Sequence, residues 1–194
     1  MPTIRAFIAI ELSLAVRGRL AEAQRLLRRE TSLSVRWVNT QSAHLTLKFL
    51  GEVDEAKIEA IGQAMTQAAR QSHTFDIGTG ETGAFPSSRR PRVLWLGLRG
   101  DLTPLLELQR TLETLIAPLG FPTEERPFSP HLTLGRVREE RGAHAAVPPA
   151  SLAIEPVTQP VEAIVLMQSI LGPDGAQYRR LLETGFGDTQ HASV

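Results

Sequence analysis

Two histidines head the same tetrapeptide. His44-Leu45-Thr46-Leu47 recurs as His131-Leu132-Thr133-Leu134 in the second half of the chain. With only five histidines in 194 residues, a His-headed repeat is far rarer by chance than a leucine-rich one. If each copy is a strand, successive side chains point to opposite faces, so His and Thr share one face and the leucines take the other. The leucines then anchor the strand in a core, while an imidazole and a hydroxyl project together toward one small anion. Two such strands across a groove set two imidazoles around a single reacting group. Displacement at phosphorus needs a base for the incoming oxygen and an acid for the departing one. Imidazole, with an ordinary pKa near ~6.5, serves as either at neutral pH. Threonine hydroxyls can donate to the non-bridging oxygens, whose charge grows in the transition state. Both proton transfers are then supplied without a metal or a cofactor.

The same residues carry other readings. A single strand histidine is more often structural than catalytic, and the matched second copy is what shifts the weight toward chemistry. Metal ligation by His44 and His131 lacks a third ligand of matching pattern. A non-catalytic binding module would not need a matched proton donor and acceptor. His73, His144 and His191 read as solvated and idle.

Positioning two such strands requires a framework, and its outline is visible. Residues 3–10 form an apolar run of strand length, buried on both faces. Ser13 caps a helix striped by Val16, Leu20, Ala23 and Leu27. Strands at 35–38 and 44–50 follow, and Asp54 caps a second helix with Ile58, Ile61, Met65 and Ala68 inward. A strand at 92–98 precedes Thr103-Pro104, a helix start leading into Leu105, Leu108, Leu112, Leu115 and Leu119, with Gly120 as the stop. After the strand at 131–137, residues 161–171 and 177–183 flank Gly172-Pro173-Asp174-Gly175, a hairpin turn. Residues 138–149 read as an exposed loop and 187–194 as a flexible tail. Trp37 and Trp95 read as core. The expectation is an α/β (α+β) protein whose second half varies the theme of the first.

Composition narrows the function classes. Equal numbers of cations and anions, 21 each, exclude a generally basic nucleic-acid binder, so any phosphate-rich partner must be held by a local patch. The absence of cysteine removes disulfides, a thiol nucleophile and Cys-ligated metal, and makes a reducing cytoplasm the default compartment. No apolar run approaches membrane-spanning length and the first ten residues do not resemble a signal peptide. A cytoplasmic monomer is the default expectation.

The paired motifs resemble the His-x-Thr-x signature of the two-histidine phosphoesterases, and most closely their RNA 2′,3′-cyclic phosphodiesterase branch, the LigT-like or 2′-5′ RNA ligase proteins. The resemblance extends over Arg5-Ala6-Phe7-Ile8-Ala9-Ile10, residues 44–53, Gly83-Ala84-Phe85-Pro86, residues 91–97, Ser129-Pro130-His131 through Arg136, and Val165-Leu166-Met167-Gln168-Ser169 with Tyr178. It implies one domain over 1–194 with two pseudo-twofold lobes of mostly antiparallel strands, helices on the outer faces and a central groove. Each lobe would supply one His-x-Thr strand. It also implies metal-independent opening of 2′,3′-cyclic phosphate on RNA ends or nucleotides to the 2′-phosphate. His44 would be the general acid for the 3′ oxygen and His131 the general base for water, with Thr46 and Thr133 holding phosphate oxygens. Reverse 2′-5′ ligation is implied as well. The residues leave open a small substrate such as ADP-ribose cyclic phosphate, or a binding module for RNA ends.

Four further sites carry expectations. Arg136 matches the family's phosphate-contacting arginine, yet strict alternation turns it away from His131 and Thr133 unless a bulge at Gly135 restores it. Phe49 meets the same parity problem after His44, which favours a core role over a nucleobase platform. Arg89 and Arg90, in a Pro-bounded loop, can guide an RNA backbone or simply be solvated. Arg126 faces the groove or, as the commoner outcome, pairs with Glu124 or Glu125.

Overall fold

The computed structural model describes residues 2–138, 154–172 and 175–187. Most of the expected loop, the tip of the hairpin turn and the tail from 188 on, with His144 and His191, lie outside the described residues. Nine strands and three helices are described. They run β1 (Thr3–Glu11), α1 (Leu14–Glu30), β2 (Val35–Trp37), β3 (His44–Asp54), α2 (Ile58–Arg70), β4 (Phe75–Phe85), β5 (Val93–Arg99), α3 (Thr103–Ile116), β6 (His131–Val137), β7 (Thr158–Val161), β8 (Ala163–Gly172) and β9 (Gly175–Gly185).

The helices begin and end for local reasons. The Ser13 hydroxyl accepts from the Val16 amide at 3.2 Å, and Val16, Leu20, Ala23 and Leu27 are buried as the spacing predicts. Asp54 accepts from the Ala56 amide and caps a short 3-10 turn that leads into α2. α3 starts where the sequence places it: Thr103 is the first helical residue, Pro104 lies in the first turn, and Asp101 accepts from the Thr103 amide at 3.0 Å. Gly120 closes the 3-10 extension of α3 at φ +93, a backbone angle that only glycine adopts without strain.

Pairing is antiparallel throughout. One sheet has the order β3-β1-β8-β9 and the other β2-β6-β5-β4-β7. The chain therefore does not divide into a first-half sheet and a second-half sheet. The His44 strand sits with β8 and β9 from the far end of the sequence, while the His131 strand sits with β2 and β4 from before it. The helices cross over too. α1 leaves the first sheet to pack on β4, β6 and β7, whereas α2 and α3 cover the first sheet through β3, β8 and β9.

Two strands escape the sequence reading. β4 contains Gly78, Gly80 and Gly83, which dilute its apolar alternation. β7, only four residues long, joins the sheet edge beside β4 and not the β8 hairpin.

β1 shows why both faces of one strand are apolar. Ala6, Ile8 and Ile10 enter the main core, whereas Phe7 and Ala9 join Val165, Met167 and Tyr178 in a second small cluster on the opposite face. That opposite face carries the site. Leu45, Leu47, Leu132 and Leu134 are all buried. At roughly 1.5–3 kcal/mol per buried aliphatic side chain, they fix the two motif strands against their sheets.

Candidate active site

Each motif strand carries a bulge at the same place. On β3, Ala9 faces Thr46 and Ile8 faces Lys48, so Leu47 is the extra residue. On β6, Trp95 faces Thr133 and Leu94 faces Gly135, so Leu134 is extra. An extra residue reverses the alternation beyond it. The burial pattern follows: Lys48 and Gly135 turn inward, and Phe49 and Arg136 turn outward on the face of the His and Thr side chains. Arg136 thus reaches the site face by the bulge its position required, with Leu134 as the inserted residue. The expectation for Phe49 is corrected, because it is 57% exposed on the site face and not core.

The inward residues explain what the bulges need. Lys48 is buried and donates to Glu113 of α3 at 2.7 Å and to the Pro122 carbonyl at 2.9 Å. A Cβ on Gly135 would lie 2.5 Å from Val35 Cγ1, so β2 can only pack there against glycine. Buried Gln24 of α1 donates to the carbonyls of both Val38 and Leu134, at 2.8 and 2.9 Å. The Val38 amide also donates to Leu134. One bulge carbonyl therefore holds the segment that leads into the other motif, and β3 and β6 touch. Gln24 carried no signal in the sequence beyond its place on the buried stripe.

The two imidazoles are held alike. The Nδ1 of His44 lies 3.1 Å from the Ser42 carbonyl, and that of His131 lies 2.7 Å from the Ser129 carbonyl. A carbonyl only accepts, so Nδ1 carries the proton and Nε2 is left free to give or take one. The repeat is in fact six residues long, Ser-x-His-Leu-Thr-Leu, a signal present in the sequence at Ser42 and Ser129.

Their surroundings differ. His44 stacks on Phe7 with ring centroids 4.4 Å apart and meets Tyr178 edge-on at 4.8 Å. Burial among these rings pushes the His44 pKa below its ordinary 6.5, against a smaller upward pull from the Ser42 carbonyl. His131 meets Phe85 edge-on at 5.0 Å, and Phe85 in turn leans on Trp95 at 5.2 Å. Trp95 is another correction. It is half-buried on the site face, beside Thr133 in the register and lying across Gly83, where a Cβ would come within 2.2 Å of the indole. Its indole Nε1 is shielded from water and has no hydrogen-bond partner among the described residues. Trp37, half-buried, packs at the margin of the core under the Arg28 guanidinium, 4.6 Å away.

The remaining candidates scatter. Arg89 and Arg90 are exposed between β4 and β5. Arg126 is exposed and forms no ion pair with Glu124 or Glu125 among the described residues, contrary to the commoner expectation. His73 is exposed, beyond the end of α2. Glu11, opposite His44 in the register, is paired with Arg180, which also pairs with Glu183. A groove between α2 and β9 contains none of the residues predicted for the site. Among the described residues no three His, Asp or Glu side chains gather as a metal would require, and no helix is long and apolar enough to cross a membrane.

Fold and site together define a two-sheet α/β protein with paired His-x-Thr motifs on adjoining strands. The chain belongs to the 2′-5′ RNA ligase superfamily, whose family model matches residues 13–172. It is 33% identical over 190 residues to an RNA 2′,3′-cyclic phosphodiesterase of Thermotoga maritima, covering 94% of this chain and 96% of that one. With the protein of the same name from Aeropyrum pernix it shares 33% identity over 168 residues, covering 86% and 94% of the two chains. Among solved structures, TT0787 of Thermus thermophilus superposes with a TM-score of 0.77 at 28% identity, covering 94% of this chain and 98% of that chain. Escherichia coli LigT complexed with 3′-AMP superposes with a TM-score of 0.74 at 27% identity, covering 95% and 99%. The family resemblance read from the motifs is borne out.

Proposed function

We propose that this chain is an RNA 2′,3′-cyclic phosphodiesterase working by two-histidine acid-base catalysis. The observation that carries the reading is the duplicated Ser-x-His-Leu-Thr-Leu strand, with the same bulge and the same carbonyl on Nδ1 in both copies. Relatives that this chain matches over nearly their whole length, named for that activity, support it. In this mechanism the Nε2 of His131 takes a proton from water as its oxygen attacks phosphorus. Protonated His44 gives its proton to the departing 3′ oxygen, and the product is the 2′-phosphate. The two groups must lie on opposite sides of phosphorus for an in-line displacement. Burial of His44 makes its protonated form scarcer but more strongly acidic, so each protonated enzyme gives up its proton more readily to the 3′ oxygen.

Thr46 and Thr133 donate to the non-bridging oxygens, and the Arg136 guanidinium takes up their growing charge. Phe49, exposed beside Phe7 on the site face, offers a stacking surface to the terminal base, and Arg89, Arg90 and Arg126 serve the backbone. Ligation to a 2′-5′ linkage is the same displacement with an RNA 5′ hydroxyl attacking phosphorus in place of water, the 3′ oxygen again departing, and cleavage of that linkage is its reverse. The reading takes the chain as one two-lobed domain, acting as a monomer in the cytoplasm.

The test is an RNA oligonucleotide ending in 2′,3′-cyclic phosphate, incubated in EDTA, with the product regioisomer identified. The expected product is the 2′-phosphate; a 3′-phosphate, or no reaction at any pH, overturns the assignment. A small-nucleotide substrate is the second reading, favoured by the capture of 3′-AMP by the similar LigT.

A further inference from the structure

Two like charges stand side by side with no ion-pair partner among the described residues. Arg36 on β2 is directly opposite Arg136 on β6, and both are exposed. Cross-strand partners share a face and have Cβ atoms about 4.5–5.5 Å apart, where like charges repel. In a chain with as many acids as bases, this is a local concentration of positive charge. The bulge at Leu134 that carries Arg136 onto the face of His131 and Thr133 carries Arg36 with it.

The patch has a direction. Exposed Arg138 follows Arg136 by two residues, and its amide donates to the Ser34 carbonyl, which prolongs the β2–β6 pairing. On the other side, Arg136 faces Val93, the first residue of β5 after the turn that holds Arg89 and Arg90. Alternate strand residues are about 6.6 Å apart, comparable to the distance between neighbouring phosphates of an extended single strand. The track leads from Thr133 toward β2, the edge of its sheet.

We propose that Arg36 extends the Arg136 site into a clamp, Arg136 staying on the cyclic phosphate and Arg36 taking the phosphodiester on the 5′ side of the terminal nucleotide, so that the site prefers RNA ends to free nucleotides. This rests on the reading that the His-x-Thr pairs hold the cyclic phosphate. A free cyclic nucleotide has no second phosphate, so a second anion site further along the same strand discriminates only for a polymer. A guanidinium suits it, since it offers a planar fork of donors to phosphate oxygens. The mutual repulsion of Arg36 and Arg136 in the empty site is relieved when both phosphates arrive, which adds to the preference.

The test is binding, which does not depend on turnover. Affinities for a short RNA ending in 2′-phosphate and for the nucleoside 2′-phosphate are compared in the intact wild type, Arg36→Ala and Arg36→Lys. Arg36→Ala is expected to weaken RNA binding about tenfold while lowering the oligonucleotide-to-nucleoside affinity ratio by nearly as much. It should also reduce the slope of log affinity against log salt for RNA by about 0.7. Arg36→Lys keeps the salt slope but loses part of the ratio, because an ammonium is a point charge without the fork. Equal weakening toward both ligands, or none toward RNA, overturns the clamp. A reduced ratio in a protein that opens no cyclic phosphate supports the clamp and overturns the catalytic reading instead.

Discussion

The strands β3 and β6 begin as copies and end as opposites. Through Ser-x-His-Leu-Thr-Leu they share the carbonyl on Nδ1, the two buried leucines and the bulge at the second leucine. Beyond the bulge, β3 continues with Lys48 and Phe49, whereas β6 continues with Gly135 and Arg136. One imidazole is wrapped by Phe7 and Tyr178; among the described residues the other meets one ring, Phe85, edge-on. The lesson is that local sequence duplicates the geometry, while neighbours from distant strands differentiate the chemistry. In the proposed mechanism the aromatic wall lowers the pKa of the acid and offers a stacking face to a base, and the cation stands where phosphate charge accumulates.

The comparison breaks most visibly at the histidines. His44→Ala and His131→Ala should each lower kcat/KM by about 10²–10⁴-fold while the fold, followed by circular dichroism, is retained. Near-normal turnover in either variant removes the paired scheme. The roles separate with a substrate whose 3′ bridging oxygen is sulfur, because a thiolate departs without a proton. His44→Ala should regain most of its rate on that substrate and His131→Ala should not; the reverse result exchanges acid and base. The hydroxyls come next. Thr46→Val and Thr133→Val should each cost about 10–100-fold in kcat, the worth of a hydrogen bond to a charged group, measured in single-turnover assays.

The residues after the bulges test the difference in packing. Lys48→Ala leaves Glu113 without its buried cation and should cost about 3–5 kcal/mol in urea unfolding. Gly135→Ala forces a Cβ against Val35 and should cost about 1–3 kcal/mol. No loss in either variant would mean that the bulges do not depend on what they turn inward.

The smallest effect is a pH dependence of stability. The unfolded chain holds a proton on His44 more tightly than the folded chain does, since burial lowers the folded pKa below 6.5. Stability from this group is therefore complete above about pH 6.5 and is lost as pH falls toward the folded value. Urea midpoints should decline less steeply between pH 7 and 5 in His44→Gln than in the wild type; parallel curves would contradict the aromatic wall.

The proposed site residues His44, Thr46, His131 and Thr133 are legible in the sequence because their chemistry is carried by residue types repeated within six positions. The α1 cap and stripe are legible for the same reason, being set by neighbours in sequence. What stays hidden is whatever depends on a partner strand. Neither bulge can be read from its own strand, since a bulge is a count against the opposite one, and so alternation alone places Phe49 in the core. Trp95 reads as core because an indole suggests burial, while the gap at Gly83 that lets it lie flat belongs to β4. β4 itself is masked by three glycines that serve close approach and dilute the alternation. The exchange of strands and helices between the sheets leaves no trace in local pattern, and Arg36 acquires meaning only opposite Arg136.

The central claim is that the two imidazoles flank one phosphorus. A crystal structure with a nucleoside vanadate, which mimics the five-coordinate phosphorus of the displacement, tests it most directly. The account predicts one Nε2 within about 3 Å of each apical oxygen, His44 on the side of the 3′ oxygen and His131 on the other. Vanadate held by only one imidazole, or with both on the same side, would contradict it.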